Sequence, residues 1–93
     1  MVAVTPEQAV TLRVQGHLDE AAGQKLMVEL LEALAIKPER IEVDLAGVTS
    51  FTDEGAARLL ACRDVTSTTP GGLHYRTEGG AGQEALLTAF ADT

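Results

Sequence analysis

The sequence predicts an α/β domain with a small mixed, mainly parallel sheet of four to five strands and helices packed mainly on one face. Three observations carry this prediction. Hydrophobic periodicity gives the order strand, strand, helix, strand, helix, strand, helix. Short strand–helix–strand connections imply right-handed parallel crossovers. Apolar residues make up 45% of the chain, and no linker divides it, so we expect residues 1–93 to form a single domain.

The N-terminal part of the chain predicts two strands. Apolar and polar residues alternate across residues 9–14, which is the period of a half-buried strand. We expect Gly16 to end this strand. A short strand over Val2–Val4 precedes it, and residues 5–8 form the turn between the two.

A helix is predicted from Glu20 to Ala35, because leucines recur there at helical spacing. Asp19 is the expected N-cap, and Lys37-Pro38 stops the helix. The predicted buried stripe consists of Leu26, Met27, Leu30, Leu31 and Leu34.

The C-terminal half repeats the strand–helix pattern. A strand over Ile41–Leu45 is followed by a loop over residues 46–52 and a second helix that begins near Asp53. A short strand over Leu73–Arg76 and a last helix over Gln83–Phe90 complete the chain. The residues expected to point inward from these two helices are Ala56, Leu59, Leu60, Leu86, Leu87 and Phe90.

The charge balance excludes some partners. Seven Lys and Arg against fourteen Asp and Glu give a net charge of −7. Nucleic acids and anionic membrane surfaces both attract clustered positive charge, so we expect neither as a partner. No apolar run is long enough for membrane insertion, and the first residues lack a signal-peptide pattern, so the expected location is cytoplasmic. A basic protein partner fits this charge, which also favours solubility.

The reactive side chains do not form a recognisable catalytic or metal site. Cys62 is the single cysteine, which excludes an intramolecular disulfide and a four-cysteine zinc site, and we interpret it as a packing residue. His17 and His74 lie far apart in sequence and lack neighbouring ligands. No glycine-rich segment has the phosphate-binding pattern. We therefore expect no metal, no cofactor and no enzyme activity.

The most distinctive segment lies where the central strand leads into the second helix. Thr52 or Asp53 can cap the free amides at the start of this helix, and Glu54 adds favourable charge–dipole energy in its first turn. These residues stabilise the helix in any case. They are also candidates for a displayed recognition surface.

Three segments together resemble a STAS domain, the fold shared by sulfate transporter tails and anti-sigma-factor antagonists. Val14-Gln15-Gly16-His17-Leu18-Asp19 resembles the family's strand-Gly-x-Leu-Asp passage into the first helix. Glu42-Val43-Asp44-Leu45-Ala46-Gly47-Val48 resembles its Asp-Leu-Ser-x-Val phrase. Gly55-Ala56-Ala57-Arg58-Leu59-Leu60 resembles the Gly-Leu-x-x-Leu-Leu start of its second helix. The resemblance covers nearly the whole chain and implies the same α/β fold.

In antagonist members, the second helix opens Asp-Ser-Ser-Gly, and the anti-sigma factor, which is also a kinase, phosphorylates the serine before the glycine. An ungapped match places Thr52 on the Asp, Asp53 on the first Ser and Glu54 on the phosphorylated serine. A one-residue gap would move Asp53 onto the Asp but leave Glu54 before Gly55. Glu54 carries one permanent charge where the family adds phosphate. Ser50 and Thr52 are the candidate substitute phosphosites.

The resemblance implies a non-catalytic regulatory protein that binds an anti-sigma factor or serine kinase. The partner's identity and the oligomeric state stay open. The predicted partner-binding residues are Thr49, Ser50, Thr52, Asp53, Glu54, Gly55 and Arg58.

Two alternatives remain. The chain could be a STAS subunit that binds a small ligand or belongs to a transporter-associated or other multiprotein assembly. It could also be a histidine phosphocarrier, because Gly16-His17 precedes a helix. Asp19 and Glu20 would repel a phosphohistidine, which disfavours the phosphocarrier.

Overall fold

The computed structural model describes residues 2–4 and 9–91. The predicted turn over residues 5–8 lies outside the described residues. The element order is the predicted one. The elements are β1 (Val2–Val4), β2 (Ala9–Leu18), α1 (Glu20–Leu34), β3 (Arg40–Phe51), α2 (Asp53–Val65), β4 (Leu73–Arg76) and α3 (Gly80–Phe90).

The strands of the described residues form one four-stranded sheet in the order β1-β2-β3-β4. β1 pairs antiparallel with β2, whereas β2, β3 and β4 run parallel. The predicted mixed, mainly parallel sheet is therefore confirmed. Because β2 and β3 each lead directly into a helix, α1 and α2 both begin at the same edge of the sheet.

The core lies between the sheet and the three helices. Inward residues of β2 and β3 such as Leu12 and Val43 are fully buried, and Leu30 and Leu59 cover them from α1 and α2. The other face of the sheet is polar. Its ion pair between Arg76 and Glu42, at 3.8 Å, is partly exposed to solvent. The helices therefore pack on one face, as predicted.

The two central strands are longer than the sequence predicts. β2 continues through Gly16 to Leu18, and β3 continues to Phe51, so the predicted strand end at Gly16 and the predicted loop over residues 46–52 are wrong. Gly16 has a φ of 79°, which a glycine adopts without strain. The pairing register shifts between Gly16 and His17. The irregular pairing allows β2 and β3 to stay paired past Gly16, where the sequence predicts the end of β2.

The buried helix stripes are narrower than predicted. Leu31 in α1 is 53% exposed and Leu87 in α3 is 64% exposed, while Leu60 in α2 is half-buried. α3 also begins at Gly80 rather than at Gln83. Because the helices form a single layer on the sheet, each buries only the side that faces the strands and its neighbours.

Candidate functional site

The start of α2 is held by hydrogen bonds to its own cap and to β2. The backbone N–H of Gly55 donates to Thr52 Oγ1 at 3.1 Å, so Thr52, one of the two predicted candidates, is the N-cap. The backbone N–H of Thr52 donates to the carbonyl oxygen of Leu18 at 3.0 Å. The first turn of α2 is thereby fixed to the end of β2.

Gly55 allows α2 to approach this strand end closely. It is buried, and a Cβ at this position would overlap the carbonyl group of Leu18 and lie 3.0 Å from the Cα of Asp19. A backbone carbonyl cannot move aside as a flexible side chain can. Gly55 is therefore a buried packing residue. It lies beneath the surface that its neighbours in sequence form and is not itself exposed to a partner.

Asp53 and Glu54 project from the first turn of α2 into solvent. Among the described residues, neither carboxylate forms an ion pair. The partial positive charge at the helix start stabilises both of them, by about 0.3–1 kcal/mol each at an exposed position. The segment thus presents two negative charges on a rigid helix end.

The start of α1 adds carboxylates to the same surface. Asp19 Oδ1 accepts a hydrogen bond from the backbone N–H of Ala22 at 2.9 Å, which confirms Asp19 as the N-cap. Glu20 Oε1 lies 3.5 Å from Nη2 of Arg58, which reaches across from α2. An open depression of about 620 Å³ lies between the two helix starts, and Asp19, Glu20, Thr52 and Glu54 contribute to its lining.

The two predicted substitute phosphosites differ in accessibility. The hydroxyl of Ser50 is exposed and shares a hydrogen bond of 2.6 Å with Nδ1 of His17, its neighbour across β2 and β3. Thr49 is also exposed at this end of β3. The hydroxyl of Thr52, by contrast, is part-buried and caps α2. Ser50 and Thr52 both lie at the same edge of the sheet as Glu54.

Comparison with known families decides the classification. The family model described as "Mlab, STAS domain" matches residues 1–88. The chain belongs to the STAS family. STAS domains serve in general as regulatory or binding domains, take part in protein–protein interactions and are generally non-catalytic.

Solved structures show the same fold at low sequence identity. A crystal structure of Mglu in its native form superposes with a TM-score of 0.71 at 12% identity, covering 85% of this chain and 23% of that one. A second Mglu crystal structure gives 0.68 at 16% identity, covering 85% and 19%. This STAS domain therefore spans about a fifth of each Mglu chain. No curated protein matches the sequence.

The buried polar groups of this STAS domain lie away from the acidic surface. Cys62 is fully buried, and burial raises the pKa of its thiol from 9.0 to about 11, partly offset by the nearby Arg58. Burial also raises the pKa of Tyr75, whose hydroxyl donates to the carbonyl of Leu59. The thiol is protonated and inaccessible at neutral pH, which agrees with its interpretation as a packing residue.

Two absences hold for the residues that the structure describes. Over that part of the chain, no three His, Cys, Asp or Glu side chains come together in a group that could hold a metal ion. No helix within residues 9–91 has the length and apolar character needed to cross a membrane.

The contribution of α1 to the surface is missing from the sequence-based prediction. That prediction concentrates on residues 49–58, whereas Asp19, Glu20 and Gln24 line the same depression as Glu54. A signal for this was present, because helices that follow neighbouring parallel strands begin at the same edge of the sheet. Arg58, which was predicted, connects the two helices through Glu20.

Proposed function

We propose that this STAS domain is a non-catalytic regulatory domain that binds a protein partner through the start of α2, in the manner of anti-sigma-factor antagonists. The supporting observation is the pair of exposed carboxylates, Asp53 and Glu54, on a helix end fixed by Thr52 and Gly55. A rigid charged surface loses little conformational entropy on binding. Its charge favours a basic contact surface on the partner, such as that of an anti-sigma factor or serine kinase.

Glu54 makes this proposed surface permanently negative. The antagonist switch implied by the STAS resemblance adds about −1.5 to −2 charge as phosphate at this position. Glu54 carries one negative charge and has no hydroxyl to phosphorylate. In antagonists the phosphate disrupts the interface, so we propose a partner that accepts negative charge here, and binding is not switched at residue 54.

Any phosphorylation of this surface would occur more readily at Ser50 than at Thr52. The Ser50 hydroxyl is exposed, whereas the Thr52 hydroxyl is part-buried and holds the N–H of Gly55. A kinase must reach the hydroxyl oxygen for transfer, and that of Thr52 is engaged as the helix cap.

Membership of a lasting multiprotein assembly is the second candidate function, and Glu54 favours it. A subunit that stays bound needs no release step, which agrees with a surface charge that cannot be removed. The antagonist and the assembly subunit share the binding surface. They differ in whether the complex responds to ATP.

The proposed function is tested by affinity capture with the full chain. Immobilised wild-type protein and the Asp53→Lys/Glu54→Lys double variant are incubated with lysate from the source cells, and retained proteins are quantified by mass spectrometry. Glu39→Lys, exposed at the opposite end of β3, is the control for charge reversal. We expect one protein or complex retained by the wild type and the control but lost with the double variant. Identical retained sets would refute the proposal.

Adding ATP and Mg²⁺ to the captured complex separates the two candidates. Release of the partner with a stoichiometric gain of one phosphate on Ser50 supports an antagonist switched at a substitute site. A complex that stays bound and an unchanged intact mass support the assembly subunit. Release without phosphate on this chain contradicts both.

A further inference from the structure

A groove runs along the helix layer between α1 and α2. Each end of it is lined by residues that belong to the two helices or directly follow them. At one end, Gly23 of α1 lies against the side chain of Arg58 and close to the backbone of Gly55. At the other end, Leu34 of α1 and the residues just after α2, 68–70, line a common depression. The two helices are therefore parallel and in register. We call this surface the α1–α2 groove.

Apart from Arg58, which lies against Gly23, the side chains that line the middle turns of the α1–α2 groove are uncharged. In α2 the exposed stripe contains Ala57 and Val65, which recur with Ala61 every four residues. In α1 the facing stripe contains Val28 and Leu31, on the same side of the helix as Gln24. Leu31 is 53% exposed and Val28 is 45% exposed. Solvent-facing helix sides usually carry charged side chains, so this stripe is unusual for a surface.

Carboxylates are concentrated at one end of the α1–α2 groove, whereas Lys37 lies at the other end. Asp19, Glu20 and Glu54 line the depression there. The cation beside them, Arg58, already pairs with Glu20. The groove thus combines an acidic end with an apolar middle.

We propose that the α1–α2 groove binds an amphipathic helix of a partner protein, with Lys or Arg residues at the end that lies beside Glu20 and Glu54. This inference rests on the proposed function and names the chemistry of its partner. A third helix packs naturally into the groove between two parallel helices, with apolar residues at i, i+3, i+4 and i+7. α1 is 15 residues long, so the groove takes a helix of about 14 residues, or about 20 Å.

Charge complementarity favours this partner over a second copy of the chain. A second copy would carry the same net charge of −7. In a two-fold arrangement through this groove, the carboxylates of both copies would enter one interface, and like charges there oppose association. Basic side chains at one end of a partner helix would neutralise Glu54, which forms no ion pair with any other described residue.

The test is a display screen of helix-biased 16-residue peptides against the full chain, followed by affinity measurement of the enriched peptides. Leu31→Ser removes the apolar wall of the groove. Leu87→Ser is the matched control, because Leu87 is also an exposed leucine but lies on α3. Circular dichroism and thermal melts establish that both variants are folded.

We expect enriched peptides with helical apolar periodicity and Lys or Arg at one end. Leu31→Ser and Glu54→Lys each weaken their binding at least tenfold, and Leu87→Ser changes it less than twofold. The proposal is overturned if nothing is enriched, if acidic-ended peptides are enriched equally, or if the two leucine variants behave alike. A partner captured through Asp53 and Glu54 whose binding is insensitive to Leu31→Ser would overturn the groove while leaving the proposed function intact.

Discussion

The carbonyl group of Leu18 lies against the Cα of Gly55, with no room for a Cβ between them. The same carbonyl oxygen accepts the N–H of Thr52 at 3.0 Å. The last residue of β2 thus determines both where α2 begins and how closely it packs. This contact fixes the position of the exposed residues Asp53 and Glu54, which follow Thr52.

Gly55→Ala should destabilise the fold even though alanine favours helices. The added methyl group would meet the backbone of Leu18 and Asp19, so α2 must move away from β2. We expect a loss of about 1–3 kcal/mol, typical of overpacking against a rigid neighbour. Chemical denaturation of both proteins measures it.

Ala57→Gly serves as the control for Gly55→Ala, because Ala57 is exposed in the same helix. It should cost about 1 kcal/mol, the ordinary penalty for glycine in a helix. A Gly55→Ala protein as stable as the wild type would show that the contact with Leu18 does not constrain α2.

Thr52→Ala should remove the cap of α2, whereas Thr52→Ser should keep it. The cap bond from the N–H of Gly55 to Thr52 Oγ1 is 3.1 Å long. Losing it costs about 0.5–2 kcal/mol. For a domain of this size, 1 kcal/mol corresponds to a shift in Tm of about 4–8 °C, which calorimetry resolves. Equal Tm values for the Ala and Ser variants would argue against the capping role.

The fold should lose stability at alkaline pH because Cys62 is buried as a thiol. Burial raises its pKa from 9.0 to about 11. The unfolded chain releases this proton at lower pH than the folded chain does. The stabilisation is therefore complete below about pH 9 and is lost as the pH rises towards 11, by about 2 kcal/mol. Tyr75, whose pKa burial also raises, adds a loss in the same direction.

Cys62→Ala provides the comparison for this pH dependence. Denaturation curves between pH 8 and pH 11 should show a shallower fall in the free energy of unfolding for the variant than for the wild type. Thiol-reactive dye should also label the folded wild type far more slowly than the unfolded chain. If the free energy of unfolding falls equally with pH in both proteins, Cys62 is excluded as the cause of the pH dependence.

The sequence was sufficient for the element order and for the cap of α1, and it narrowed the cap of α2 to Thr52 or Asp53, because local signals determine these features. Asp19 and Thr52 are polar residues directly before periodic apolar segments, and both cap helices. The extension of β2 past Gly16 was not predictable in this way. It depends on pairing with β3 at an irregular register, and a single strand's pattern carries no information about its partner.

The acidic surface was predicted only in part, and the reason is the same. Asp53 and Glu54 follow from the local helix start, whereas the contribution of Glu20 depends on how two helices meet. The exposure of Leu31 was missed because leucine at helical spacing predicts burial. Which side of a helix stays uncovered depends on the number of layers in the fold, which the periodicity of one helix does not reveal.

The most direct test of the account is the dissociation constant of the captured partner for a charge series at position 54, measured by calorimetry. With the wild type as reference, Glu54→Gln removes the charge at constant shape, Glu54→Lys reverses it, and Glu39→Lys reverses an exposed charge at the opposite end of β3. We predict a weakening of about threefold for Glu54→Gln and at least about tenfold for Glu54→Lys, with Glu39→Lys within twofold of the wild type. Equal affinities for all four proteins would contradict the claim that the acidic start of α2 is the recognition surface.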